Sequence, residues 1–243
     1  MCRWLSYIGE PVYLEKLVFE PRHSLVEQSL RAEQAKTPTN GDGFGLGWYD
    51  ERKTPGLYRE ILPAWNDPNL RSLAHHIRSG MFFAHVRAST GTETSRTNCH
   101  PFAHDNFLFM HNGQIGNYSL VRRVLEAMVD DEFYAARQGT TDSELIFCLM
   151  LTFGLRTDPH RAIRKTIEVV EREMRNRGIT VPFRFTACLA NGESVCAIVV
   201  SEPLDAESDS WIAVAPNHTL HVTRDLQICE EPTMVATGCK GAA

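Results

Sequence analysis

The chain has 243 residues, room for one large domain or two small ones with a core that needs no staples. Hydrophobic residues make up 43% and charged residues 23%, the balance of an ordinary globular protein rather than a disordered or fibrous one. A net charge of -5 with scattered basic residues excludes the basic footprint of a nucleic-acid or anionic-membrane binder.

In chain order, residues 1–11 hold no apolar run ahead of a cleavage site, so neither a secretory signal nor a lipid-anchored cysteine is expected. A helical pattern runs from Ser24 to Gln34. The segment Asn40-Gly41-Asp42-Gly43-Phe44-Gly45-Leu46-Gly47-Trp48-Tyr49 places four glycines in seven residues ahead of aromatics. That predicts a tight turn feeding a closely packed strand, Phe44–Tyr49. A phosphate loop is not expected, because no GK[ST] ending or helix pattern follows. Further strands are predicted at Gly56–Ile61, Met81–Arg87 and Phe107–His111, with a helix at Asn69–Ile77. Helices then follow at Ser119–Met128, Asp142–Phe153 and Pro159–Arg175. Late strands fit Phe183–Leu189, Ser194–Val200, Trp211–Val214, Thr219–Thr223 and Thr233–Ala236. Strands, then helices, then strands is an order that favours antiparallel sheets with segregated helices over a βαβ alternation.

Seven cysteines are widely spaced, odd in number and without a CxxC pair, which points to a reducing compartment and a cytoplasmic protein. Cys148 and Cys188 lie in apolar runs and read as buried hydrophobes. No segment approaches the roughly 18 apolar residues of a membrane span. His75, His76, Cys99, His100, His104 and His111 match no zinc spacing, so no metal and no other cofactor is expected.

The candidate chemistry begins at Cys2. Trimming of Met1 before a small residue leaves Cys2 with a free α-amine of pKa about 8, able to accept a proton from its own thiol. In Phe82–Gly91, alternation places His85 and Arg87 on one face, and Arg87 at a strand end suits either a bidentate carboxylate grip or a structural ion pair. His111-Asn112-Gly113 reads as a hairpin turn; it also supplies an amide donor and an open backbone N–H, the makings of an oxyanion hole. Thr141 and Glu144 form a capping-box pattern, with Asp142 at the helix start.

Singly these signals are weak, but their order carries information. Cys2, GDGFGLGWY, AHVRAST at 84–90, NCHPF at 98–102, MHNGQIGNY at 110–118 and TTDSE at 140–144 together resemble the class II glutamine amidotransferase family. The likeness covers residues 2–150 and is nearest to short stand-alone members, among them a γ-glutamyl amide hydrolase of ergothioneine biosynthesis and an amidotransferase subunit of glutathione degradation. It implies an α+β N-terminal nucleophile hydrolase fold, a four-layer αββα sandwich of two mostly antiparallel sheets, as a single domain over 2–243 after loss of Met1. It also implies cleavage of glutamine or a γ-glutamyl amide through a Cys2 thioester. By the same resemblance Arg87 holds the substrate α-carboxylate, Asp142 its α-amino group, and Asn112 and Gly113 the oxyanion, with Thr90 and His100 lining the site. No synthase domain is expected in the 151–243 region, which leaves a separate synthase partner chain, or a catalytically silent binding module, as alternatives to hydrolysis by this chain alone.

Overall fold

The computed structural model describes residues 2–31, 39–89, 93–195, 204, 211–223 and 225–233. The chain opens with an eleven-residue strand, β1 (Arg3–Tyr13), followed by short helices α1 (Glu15–Val18) and α2 (Leu25–Leu30). Strands β2 (Phe44–Tyr49) and β3 (Gly56–Glu60), helix α3 (Pro68–His76) and strand β4 (Arg78–Val86) complete the first half. Antiparallel pairing gives a four-stranded sheet in the order β1-β4-β2-β3.

A turn of 3-10 helix at Arg96–Asn98 leads into β5 (Phe102–His104) and β6 (Phe107–Gln114). Four helices follow: α4 (Tyr118–Glu126), α5 (Asp131–Ala136), α6 (Asp142–Thr152) and α7 (Pro159–Asn176). Strands β7 (Arg184–Ala190), β8 (Ser194–Val195), β9 (His218–Thr223) and β10 (Ile228–Pro232) then build an antiparallel second sheet, ordered β10-β9-β8-β7-β6-β5.

The layering follows from which residues alternate to which side. In the first sheet Leu5, Phe44, Leu46, Phe82, Ala84 and Val86 point outward onto helices α1 to α3. Trp4, Ile8, Tyr49, Met81 and Phe83 point the other way and meet Leu108, Met110, Cys188 and Ala190 of the second sheet. Phe107 and Phe109 face away from that contact and pack on α4 to α7. The result is the expected αββα sandwich. The opposing sheet and the helices cover the middle of each sheet, while β10 at the edge of the second is exposed throughout; Phe82, Phe83 and Phe109 are almost fully buried, and each such side chain contributes about 1.5–3 kcal/mol.

Helix starts follow local capping. Asp67 accepts from the Asn69 and Leu70 amides ahead of α3, and Asp158 accepts from Arg161 ahead of α7, each with proline next. Thr141 accepts from the Glu144 amide at 3.1 Å, which is half of the expected capping box. The other half is absent: the Glu144 carboxylate takes the Gln138 and Gly139 amides instead, at 2.9 and 2.7 Å.

Two further expectations need correction. Asn112 and Gly113 are not a hairpin turn; they lie inside β6, opposite Thr186 and Phe185. The left-handed residue that ends this run is Asn117, at φ 48°. Trp211–Val214 is not a strand, and it carries no ladder although its sequence is apolar. Strand β10 (Ile228–Pro232) was not among the predicted elements; residues 234–236 of the expected Thr233–Ala236 strand lie outside the described residues, as do 196–200 of the predicted Ser194–Val200 strand. β1, β5, α1 and α5 had no counterpart among the predicted elements.

Among the described residues no helix is long and apolar enough to cross a membrane, and no three His, Cys, Asp or Glu side chains gather as a metal-binding group.

Candidate active site

The glycine segment determines how closely the layers approach. Gly43 has φ +108°, where a side chain is strained, and it turns the chain into β2. At Gly45 an added Cβ would lie 2.2 Å from the His100 carbonyl, and at Gly47 it would lie 2.8 Å from Leu108 and Pro101. The strand backbone at these glycines therefore lies directly against the His100 carbonyl and the Leu108 and Pro101 side chains. The Tyr49 hydroxyl adds a tie across the gap, donating to the Asn106 and Ala190 carbonyls at 2.7 and 3.0 Å.

Cys2 precedes β1 at this junction. Its thiol is bracketed by one residue: the Ala88 amide donates to Sγ at 3.4 Å, and Sγ lies 3.5 Å from the Ala88 carbonyl. The Cys2 carbonyl accepts from the Asn112 side-chain amide at 2.8 Å and from Arg3 Nη1 at 3.1 Å. Burial pushes the Cys2 thiol above its ordinary range, while the Ala88 amide and the Arg87 charge pull it back only in part. The thiol is therefore protonated at neutral pH and needs a base before it can attack.

Arg87 follows β4 and is buried. Its guanidinium donates to the Asp42 carbonyl, the Ser89 hydroxyl and the Glu93 carbonyl at 3.3, 3.4 and 3.3 Å, all neutral oxygens. Asp42 fixes the same loop through its backbone and side chain: its amide donates to the Arg87 carbonyl, and its carboxylate accepts from the Ser89 amide at 2.7 Å. Asp142 occupies the first turn of α6, where its carboxylate accepts from the Ile115 and Ser143 amides at 2.8 and 2.9 Å. That bond to Ile115 ties Asp142 to the chain just beyond β6.

The structure thus brings Cys2 and Asn112 into direct contact and places Arg87 beside the residue that brackets the thiol. Gly113 is next to Asn112, and a Cβ there would meet the Arg184 carbonyl at 2.0 Å. His100 is not hydrogen-bonded to any of these residues. It is buried against His85, ring centroids 4.4 Å apart, and neither ring nitrogen of either histidine has a hydrogen-bond partner among the described residues. Burial, with the Arg87 charge nearby, lowers His85 to about 3, and His100 is also driven well below the usual range, so both are neutral. Thr90 lies outside the described residues. Ala88, Asp42 and Asn98 were not singled out by sequence reasoning. Asp42 and Asn98 sit within the quoted motifs, whereas a backbone contact such as that of Ala88 leaves no residue-type signal. A surface groove of about 730 Å³ between the end of α6 and the start of α7, lined by Gly154, Arg161 and Lys165 among others, contains none of the site residues.

Known proteins resemble this chain over most of its length. Residues 20–204 match the family described as glutamine amidotransferases class-II. A Saccharomyces cerevisiae protein named probable glutamine amidotransferase DUG3 is 44% identical over 161 residues, covering 62% of this chain and 45% of the yeast protein. A Mycolicibacterium smegmatis gamma-glutamyl-hercynylcysteine sulfoxide hydrolase is 27% identical over 250 residues, covering 96% of this chain and 100% of its own. Among solved structures, a glutamine aminotransferase class-II domain protein from Silicibacter pomeroyi aligns with TM-score 0.73 and 33% identity over 96% of this chain and 100% of that one. The glutamine phosphoribosylpyrophosphate amidotransferase of B. subtilis aligns with TM-score 0.63 over 96% of this chain and 49% of its own. At 12% identity that likeness shows the fold alone, the N-terminal nucleophile hydrolase sandwich.

Proposed function

This chain belongs to the class II glutamine amidotransferase family, and we propose that it hydrolyses the side-chain amide of glutamine or a γ-glutamyl amide by way of a Cys2 thioester. The observation that carries this reading is the seat of Cys2: its thiol rests on the Ala88 backbone, and its carbonyl is gripped by Asn112. Processing of Met1 gives Cys2 the amine that a protonated, buried thiol requires.

In the proposed cycle the α-amine takes the thiol proton as Sγ attacks the amide carbon. Asn112 and the Gly113 N–H receive the charge that develops on the carbonyl oxygen. The C–N bond then breaks, the amine returns the proton to the leaving nitrogen, and a thioester remains. Water, deprotonated by the same amine, attacks the thioester; the C–S bond breaks and the thiol is restored. Arg87 and Asp142 offer opposite charges to the α-carboxylate and α-ammonium of the glutamyl group, which fixes the amide relative to Cys2. Thr90 and His100 line the site without a step of their own. The proposal takes residues 2–243 as one domain acting in the cytoplasm; the shared interior of the two sheets supports the first, and five free cysteines among the described residues support the second.

The test is intact-mass analysis before and after treatment with diazo-oxo-norleucine, a glutamine-like electrophile. Loss of Met1 and one adduct, absent from Cys2→Ala, is the expected result. A retained Met1 with no adduct would overturn the proposal. The similarity to a yeast protein named as an amidotransferase favours a second reading, in which the chain supplies ammonia to a separate synthase. Copurification of a partner that raises glutaminase activity would distinguish it.

A further inference from the structure

Resting on the glutamyl reading above, we propose that Asn98 is a positioning residue that sets the distance between the two charged anchors, Arg87 and Asp142. The two anchors come from different parts of the sandwich. Arg87 extends from β4 of the four-stranded sheet, whereas Asp142 opens a helix packed on the six-stranded sheet. A rigid zwitterionic end must satisfy both at once, so an error in their separation displaces the scissile amide from Cys2.

Asn98 spans the interval. It ends the 3-10 turn at Arg96–Asn98 and is buried at 1% exposure. Its Nδ2 donates to the Glu93 carbonyl at 2.9 Å, and that same carbonyl accepts from Arg87 Nη2. On the other side Nδ2 donates to Thr140 Oγ1 at 3.3 Å, while Oδ1 accepts from the Thr140 amide at 2.8 Å. Thr140 stands two residues before Asp142. One carboxamide therefore connects the oxygen that steadies the guanidinium to the backbone that delivers the carboxylate. Only a side chain with both a donor and an acceptor can make this link.

The turn is itself held in place. Arg96 forms an ion pair with Glu60 of β3, and Arg59 reaches both the Cys99 carbonyl and Gln138, at 3.4 and 3.3 Å. The Gly139 backbone packs tightly against the asparagine: a Cβ there would sit 2.5 Å from Asn98 Oδ1. Gln138 and Gly139 are in turn fixed by Glu144. The loop leading to Asp142 is thus fastened to α6 at Glu144 and to the Arg87 side at Asn98.

The test compares two thiol reagents on the full chain. Diazo-oxo-norleucine carries the amino-acid end that the anchors grip; iodoacetamide does not. Asn98→Ala and the isosteric Asn98→Asp should each slow labelling of Cys2 by the first reagent roughly ten- to hundredfold while leaving the second within about twofold. Asn98→Asp keeps the side-chain shape and the acceptor for Thr140 but loses the donor to Glu93, so it decides the matter if Asn98→Ala fails to fold. A parent-like ratio of the two rates in a folded variant, even one with a lowered melting temperature, would overturn the positioning role. A parent protein labelled by iodoacetamide but not by diazo-oxo-norleucine would overturn the glutamyl reading itself, and the Asn98 proposal with it.

Discussion

The side-chain amide of Asn112 donates to the carbonyl of Cys2 at 2.8 Å, joining the inner face of β6 to the residue that precedes β1. Sequence separation between the two is 110 residues, so their meeting depends on the two sheets closing on each other. In the proposed mechanism the second N–H of the same amide serves the substrate oxygen at the thiol. Asn112→Ala is therefore expected to lower kcat about 100- to 1,000-fold, with only about 1 kcal/mol lost from unfolding stability. Steady-state kinetics with glutamine alongside urea denaturation would check this, and parent-like turnover would remove Asn112 from the mechanism.

Replacement of Gly113 by alanine should have the opposite balance. The added Cβ would press on the Arg184 carbonyl, which is backbone in a paired strand and cannot swing aside. A stability loss of about 1–3 kcal/mol is expected from such overpacking. A urea midpoint equal to the parent's would show that β6 and β7 can separate locally at no cost.

Asp142→Asn should raise KM for glutamine by roughly tenfold or more with a smaller change in kcat, since a charge holding the ammonium acts on bound substrate and transition state alike. The variant retains an oxygen acceptor for Ile115 or Ser143, so the fold should survive. An unchanged KM would exclude Asp142 as the ammonium anchor.

Acid should weaken this protein through its buried histidines. Burial holds His85 at about 3 and also lowers His100 and His111, the last against the opposing pull of the Asp142 charge. An unfolded histidine titrates near 6.5, so below that value the unfolded chain binds protons that the folded chain refuses. The stability is fully present above pH 6.5 and is lost as pH falls toward 3, at about 1.4 kcal/mol per pH unit for each histidine in its window. Urea midpoints measured from pH 7.5 to 4.5 should fall, and His85→Leu should flatten the slope by one histidine's share. A slope unaltered in that variant would acquit His85.

The residues proposed for the site stand in short motifs: Asn112 and Gly113 are neighbours, and Asp142 follows directly on the cap residue Thr141, whereas Ala88, next to Arg87, touches Cys2 through its backbone and was not legible. The helices α6 and α7 were legible for similar local reasons. β1 was not, because the first sheet is covered on both faces; Trp4 and Leu5 are both buried, which erases the two-residue alternation. Asn112-Gly113 was misread because the dipeptide favours hairpins, whereas the strand continues along a partner more than seventy residues later. Trp211–Val214 has strand-like residues but no ladder, and Ile212 is left exposed to solvent. Asn98 shows the remaining limit: its proposed role depends on meeting Thr140, which stands 42 residues further along the chain, and nothing in the sequence around Asn98 points to that contact.

The close approach at Gly45 and Gly47 bears on how variants and related chains should be interpreted. These glycines touch the other layer's backbone and side chains rather than the reacting groups, so a copy that had lost Cys2 would still need them in order to close its sandwich. Retention of the glycines therefore reports on architecture alone. A damaging substitution there can mimic a lost active site while leaving every chemical group in place, and genetic inactivation at Gly45 should be traced to the spacing of layers before it is credited to catalysis.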